Sequence, residues 1–344
     1  MRTKVTTTAE HEVFLHGLES LRDERGIFVA SPSSDYRACW IRDQLYSTFA
    51  YYYMGETKKF AQGIWVVFDI LHKSRGRIEN AIERMPSAGH EFIHAKYDHE
   101  SLAEITDDWG HHQIDAIGLF LYIVGFAHKK NIAVFRTDAD REMLQVLVEY
   151  LVSIRYWESK DNGMWEEWME LHASSLGAAV CALELLREQK LAVVPQDAID
   201  RGREALFMIL PNETPNRSED MAELSLIWPY DIIPQEIADI ILKRIESRLV
   251  QSKGLNRYWG DNYYRSENGI SGEWTMGFFW LSIVYSERGD VVRAKYWYER
   301  GLETMTPGGY IPELYQNGKP NKNTPLGWAH ALGIIAQKKI ECMQ

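Results

Sequence analysis

The chain has 344 residues and a formal charge of −11. That is enough chain for a large core in one or two domains, and the acidic balance excludes a nucleic-acid binder, whose phosphates need a basic surface. The 12 Trp and 18 Tyr are more telling, because aromatics on this scale suit either a big core or a pocket that stacks flat ligands such as sugar rings.

Helical periodicity dominates the chain. Twelve helices are expected near 8–24, 41–54, 57–75, 112–128, 137–156, 173–189, 196–212, 219–228, 235–250, 273–288, 290–304 and 326–341. The fourth carries Ile114, Ile117, Leu119, Leu121, Ile123 and Val124, leaving little polar face, so it should lie inside the fold. Strand-like alternation is scarce, and Asn162-Gly163, Asn268-Gly269 and Asn317-Gly318 are all expected in loops. The longest apolar runs, such as Ile117 to Phe126, are too short to span a bilayer. Cys39, Cys181 and Cys342 are odd in number and far apart, which makes neither a disulfide framework nor a metal-ligand pair. The first eight residues have no apolar core or cleavage site. These features lead us to expect a cytoplasmic soluble protein with no membrane or nucleic-acid partner.

Connections after even-numbered helices are often short. After odd-numbered ones they are mostly long: 25–40, 76–111, 157–172, 251–272 and 305–325. Antiparallel helices in sequence put all odd-to-even loops at one end. A closed ring of six helical hairpins, an all-α (α/α)6 barrel, would gather the five long loops at one mouth.

Those loops share a composition. The first ends in Asp35-Tyr36-Arg37-Ala38-Cys39-Trp40-Ile41-Arg42-Asp43, where Arg offers a rigid fork of donors and Asp two acceptors, the pairing that sugar hydroxyls need. The second holds Asp107-Asp108-Trp109-Gly110-His111-His112-Gln113-Ile114-Asp115. Its acids and histidines match no zinc or calcium spacing, so Trp109 is expected as a stacking wall, with Gln113 or Asp115 facing the pocket. The third, Gly163-Met164-Trp165-Glu166-Glu167-Trp168, sets two acids between two indoles. Poor solvation there would raise a carboxyl pKa towards the range of a general acid. The fourth is Gly254-Leu255-Asn256-Arg257-Tyr258-Trp259-Gly260-Asp261, and the fifth Gly308-Gly309-Tyr310-Ile311-Pro312-Glu313-Leu314-Tyr315. Any one of these could be a charged helix start or a surface acid. Five aromatic-plus-polar loops at one mouth are hard to attribute to chance.

Together the loops resemble glycoside hydrolase family 15, the glucoamylase family, in order and over nearly the whole chain. Tyr36, Trp40, Arg42 and Asp43 match its Tyr-x-x-x-Trp-x-Arg-Asp segment, whose Arg and Asp bind the terminal glucose. Trp109 matches a cleft-lining tryptophan. Trp165-Glu166-Glu167 matches Trp-Glu-Glu, in which the first Glu is the general acid and the second binds substrate. Arg257, Tyr258 and Asp261 match an Arg-Tyr-x-x-Asp loop. Glu313 with Tyr315 matches Glu-x-Tyr, where Glu is the general base. The resemblance implies one catalytic (α/α)6 barrel over residues 1–344, without the β-sandwich or starch-binding module that many members carry. It resembles small bacterial members that act on short α-glucosides, isomaltose-type α-1,6 included.

By that likeness Glu166 protonates the leaving oxygen and Glu313 activates water. Room for the water requires carboxyls about 6.5–9.5 Å apart and predicts inversion. Tyr36, Arg42, Asp43, Glu167 and Arg257 would fix the terminal sugar, and Trp109, Trp168 and Trp259 would wall the second sugar. The expected ligand is an oligosaccharide, and the chemistry needs no cofactor or metal. Other readings stay open: a trehalase or another sugar enzyme on a helical barrel, or a carbohydrate-binding or regulatory protein that lost catalysis.

Overall fold

A computed structural model describes the backbone of residues 5–343 and, apart from the first helix's opening residues, their side chains. Thirteen α-helices are found among the described residues. They are α1 (Val5–Glu19), α2 (Ile41–Tyr53), α3 (Thr57–Lys73), α4 (Arg75–Glu83), α5 (Ile114–Lys129), α6 (Asp138–Ser153), α7 (Ala173–Glu188), α8 (Gln196–Ile209), α9 (Leu224–Ile227), α10 (Gln235–Arg248), α11 (Met276–Glu287), α12 (Val291–Leu302) and α13 (Gly327–Cys342). No helix among them is long and apolar enough to cross a membrane.

The chain folds as an (α/α)6 barrel. Its inner ring closes in the order α2, α5, α7, α9, α11, α13 and back to α2. Apolarity sorts the helices: every residue from Met276 to Tyr285 of α11 is buried, whereas only Ala294, Trp297, Tyr298 and Gly301 of α12 are. A helix apolar all round belongs inside, and one with a single apolar stripe belongs outside. The tightest inner contact is α5 against α7, where a Cβ on Gly118 would lie 2.7 Å from the Ala178 backbone carbon. Any larger residue at 118 would force the two helices apart.

Two elements differ from expectation. Residues 75–83 form α4, a separate helix inside the second long loop, because Ser74 breaks the third helix before the next turn begins. The eighth helix shrinks to a 3-10 turn, Met221–Glu223, and the single α-turn α9. Pro229, following Trp228, stops it.

Short strands tie the mouth loops together. β1 (Cys39–Trp40) pairs antiparallel with β2 (Lys96–Tyr97), so Trp40 faces Lys96. β3 (Glu273–Trp274) pairs with β4 (Leu314–Gln316), which pairs with β5 (Lys319–Pro320). Asn317-Gly318 is therefore a hairpin turn and not the plain loop expected. Both residues have positive φ, 51° and 72°, the conformation of a type I′ turn. Two- and three-residue strands are too short to show alternation in sequence.

The barrel axis is plugged with aromatics. Tyr46 of α2 stacks on Trp328 of α13 with ring centres 4.7 Å apart, and Trp280 of α11 lies 5.7 Å from Trp328. The Trp280 indole N–H donates to the Trp228 carbonyl at 3.0 Å. Above this plug the barrel is open, and the mouth loops form its rim.

Candidate active site

The pocket at the mouth has an empty volume of about 760 Å³, counting its opening. All five long loops contribute: Tyr36 and Trp40, Trp109, Met164 to Glu167, Arg257 and Tyr263, and Glu313. The first turns of inner helices supply most of the rest, namely Arg42 and Asp43 of α2, Met276 of α11 and Trp328 of α13.

Arg42 and Asp43 are buried, as an exposed helix-start pair would not be. Arg42 forms a two-pronged pair with Asp115 at 2.7 and 3.1 Å and donates to the Gln113 side chain at 2.7 Å. Gln113 and Asp115 thus hold Arg42 from behind and do not line the pocket, contrary to expectation. Arg42 also reaches Glu166 at 3.4 Å. Its charge is already paired by Asp115, so it orients Glu166 more than it neutralises it. Asp43 carries no side-chain donor on its carboxylate among the described residues, which leaves its acceptors to a ligand. Burial pushes its carboxyl up to about 7, with Arg42 opposing and the charges of Glu166 and Glu313 adding to the rise.

Glu166 accepts from the indole N–H of Trp109 at 2.6 Å and of Trp40 at 3.3 Å. Its indole neighbours are therefore these two, and the adjacent Trp165 instead donates to Asp220 at 2.8 Å. Glu166 has φ of 62°, an uncommon left-handed conformation for a non-glycine residue, and Gly163 has 61°. The loop is closed by mutual hydrogen bonds of Asp161 and Glu170, at 2.9 and 3.0 Å. Asn162 ties its interior, donating from its side chain to the Glu167 carbonyl at 2.6 Å. At Gly163 a Cβ would lie 2.7 Å from the His172 ring, so both space and φ require glycine.

Glu167 faces the pocket with its carboxylate held by Arg257 at 2.6 Å and by the Tyr258 hydroxyl at 2.7 Å. Arg257 is fixed by Asp261 through two bonds of 2.8 Å. Tyr258 and Asp261 thus stand behind Glu167 and Arg257, outside the lining.

Glu313 lines the same pocket and is buried. Asn321 and Asn323 each donate to one of its oxygens at 2.6 Å, and the Tyr36 hydroxyl bonds it as well. Burial raises its carboxyl above the ordinary range, and these three bonds pull it back. Tyr315 is not brought to the pocket: its hydroxyl donates to the Thr304 carbonyl at 2.9 Å on the far side of the strand. Trp168 and Trp259 are 67% and 60% exposed and stand outside the lining, while Trp109 forms part of the wall.

Sequence reasoning missed Tyr263, Trp274 and Trp328 in the lining. Trp274 and Trp328 sit where inner helices α11 and α13 begin, so the start of every inner helix was the signal to search. Lys96 was missed too. Its ammonium lies 3.8 Å from the centre of the Trp109 ring and 2.7 Å from Asp107, so it clamps the wall that reaches Glu166. No group of three or more metal-capable side chains occurs among the described residues. His111 stacks on His94 and His112 on Phe92, each ring serving as packing.

A ring of inner helices with acids, a guanidinium pair and indoles converging at one mouth defines a carbohydrate-active (α/α)6 barrel. The model of the glycosyl hydrolases family 15 matches residues 16–296, and the chain belongs to that family. In structure it is similar to a glycosidase, with a TM-score of 0.82, 18% identity and 99% of each chain covered. It is also similar to the glucoamylase from Saccharomycopsis fibuligera, with a TM-score of 0.71, 14% identity and coverage of 100% of this chain and 96% of the other. In sequence it is 24% identical, over 89% of its length, to the liver isoform of the phosphorylase b kinase regulatory subunit alpha of Mus musculus. A probable phosphorylase b kinase regulatory subunit alpha of Caenorhabditis elegans is 28% identical over 66% of the chain. The chain spans 30% and 23% of the length of these two relatives.

Proposed function

We propose that the chain is an inverting, exo-acting α-glucosidase that removes the non-reducing terminal glucose of short α-glucosides, α-1,6 or α-1,4, as β-glucose. The observation that carries this reading is the pair of carboxyls lining one pocket in opposite settings. Glu166 is partly exposed at the mouth beside the N–H donors of Trp40, Trp109 and Arg42, where a leaving oxygen can approach it. Glu313 is buried, which raises its carboxyl, and its bonds from Asn321 and Asn323 work against that rise, towards the ionised form a base needs. In the proposed reaction Glu166 gives its proton to the glycosidic oxygen as that bond breaks. Glu313 takes a proton from water as the water attacks the anomeric carbon from the other side. Asp43, Glu167, Arg42 and Arg257 hold the sugar hydroxyls.

Glu166→Gln and Glu313→Gln are each expected to lose nearly all turnover while sugar binding persists. Near wild-type rates for either variant would overturn the assignment. NMR of the first product distinguishes β- from α-glucose, and a screen of maltose, isomaltose, trehalose and cellobiose sets the linkage.

One observation favours a second reading. The relatives similar in sequence are regulatory subunits, and a barrel that binds sugar without cleaving it would serve such a role. Calorimetric binding of an oligosaccharide that no amount of enzyme hydrolyses would decide for it.

A further inference from the structure

The remaining connection from an outer to an inner helix, residues 210–223 between α8 and α9, is the shortest of the six and carries none of the sequence signals of the other five. It nevertheless runs directly behind the Glu166 loop. Asp220 is fully buried and accepts the Trp165 indole N–H at 2.8 Å on one oxygen. Its other oxygen takes the Arg217 guanidinium at 2.9 Å. The same guanidinium lies 4.0 Å from the centre of the Tyr258 ring, and the Tyr258 hydroxyl holds Glu167 at 2.7 Å. Arg217 also reaches Glu170, at 3.5 Å, the residue that closes the loop on Asp161. Neither Arg217 nor Asp220 lines the pocket.

One ion pair, its acid fully buried and its guanidinium half-buried, therefore reaches both flanks of Glu166, through Trp165 on one side and through Tyr258 and Glu167 on the other. A buried pair adds little net stability compared with apolar residues of the same volume. Here the acids Glu213 and Glu223 act on Asp220's surroundings as well, which makes the arrangement costlier still. What the pair supplies is geometry, and this loop has need of it. With Glu166 and Gly163 both at positive φ, the backbone keeps its shape only if its surroundings over-determine it.

We propose that Arg217 and Asp220 are positioning residues that fix the Glu166 carboxyl for proton transfer by bracing Trp165 and Tyr258. This role rests on the reading of Glu166 as proton donor. A misplacement of about 1 Å at a reacting group costs about 100-fold in rate, so loosening the brace acts on turnover well before it unfolds the barrel.

The test is a double-mutant cycle on Trp165→Phe and Asp220→Leu, with Asp220→Asn as the conservative variant and melting temperatures measured throughout. Turnover of isomaltose or maltose is followed well below each melting point. Asp220→Leu is expected to lower kcat at least about tenfold. The double variant should be no slower than Asp220→Leu alone, since both changes break one hydrogen bond. Asp220→Asn keeps an acceptor for Trp165 but turns an NH2 group, which cannot accept, towards Arg217, so its kcat should fall between wild type and Asp220→Leu. Additive losses, or a folded Asp220→Leu variant with wild-type kcat, would overturn the proposal. Should Asp220→Leu fail to fold, Trp165→Phe decides alone, because it leaves the buried pair intact: undiminished kcat refutes the brace. If the wild-type protein turns over no glucoside, the glucosidase reading falls separately. The brace is then read from the affinity of the iminosugar 1-deoxynojirimycin, expected about tenfold weaker in Asp220→Leu and intermediate in Asp220→Asn. Equal affinity in all three proteins overturns it.

Discussion

Replacing Asp43 by asparagine should make the protein less dependent on pH for its stability. Asp43 titrates near 7 in the folded chain, against an ordinary value of 3.8, because burial and the nearby charges of Glu166 and Glu313 outweigh Arg42. For a carboxyl raised on folding, the folded state binds more protons than the unfolded one. Its contribution is therefore fully present below pH 3.8 and is lost as pH rises through about 7. Evaluating that linkage at the two values gives a loss of roughly 2 kcal/mol at pH 5 and roughly 4 kcal/mol at pH 8. The carboxamide of the Asp43→Asn variant cannot ionise, so the variant suffers neither loss. Any fixed cost of the amide is the same at both pH values and cancels from the comparison. The difference in unfolding free energy between variant and wild type should therefore shift by roughly 2–3 kcal/mol in favour of the variant between pH 5 and pH 8. Urea unfolding followed by circular dichroism at several pH values measures this directly. Parallel stability curves for the two proteins would refute the reasoning, because Asp43 would then be solvated or fully paired in the folded chain. The same variant should lose sugar affinity, since the Asp43 carboxylate has no side-chain donor on it among the described residues and one of its two acceptors becomes an NH2 group.

Further outcomes can be checked with the same substrates. Asn323→Ala removes one bond that holds the Glu313 carboxyl down, so the acidic limb of the pH–rate profile should move to higher pH; an unmoved limb would mean that Glu313 is not the group titrating there. Lys96→Met frees the Trp109 ring, and kcat/KM should fall by roughly three- to tenfold, the size of a partly desolvated cation–π contact; steady-state kinetics that match wild type would exclude the clamp. Tyr315→Phe removes a hydroxyl that bonds Thr304 outside the pocket, so stability should drop by about 1 kcal/mol with turnover unchanged. A large kinetic loss in that variant would place Tyr315 at the substrate after all.

The helices and their ring were legible because burial writes itself into apolar periodicity. Met276 to Tyr285 has no polar stripe, and a helix of that kind has to be an inner one. Loop lengths then placed Trp40, Trp109, Glu166, Arg257 and Glu313 at one mouth, where they do line one pocket. What the sequence hid were contacts set by approach direction. Whether Trp165 or Trp109 touches Glu166 depends on how the loop turns at Gly163, and neighbours in sequence proved less informative than neighbours across the mouth. Tyr315 lies two residues from Glu313, a spacing that would share a face in an even strand, yet it anchors to Thr304. Arg217 and Asp220 sit in an ordinary-looking loop, and only the closed ring brings them beneath Trp165.

The left-handed backbone at Glu166 has an evolutionary consequence. Such a conformation costs a non-glycine residue about 1–2 kcal/mol, and Asp43 is held ionisable in a place that disfavours charge. Replacing Glu166 by glycine or asparagine would relax the backbone and remove the proton donor, and replacing Asp43 by asparagine would remove a buried charge. At Asp43 such a replacement is downhill in stability, whereas at Glu166 the relaxed backbone is set against the lost bonds to Trp109, Trp40 and Arg42, so a barrel not held to hydrolysis would change at Asp43 first.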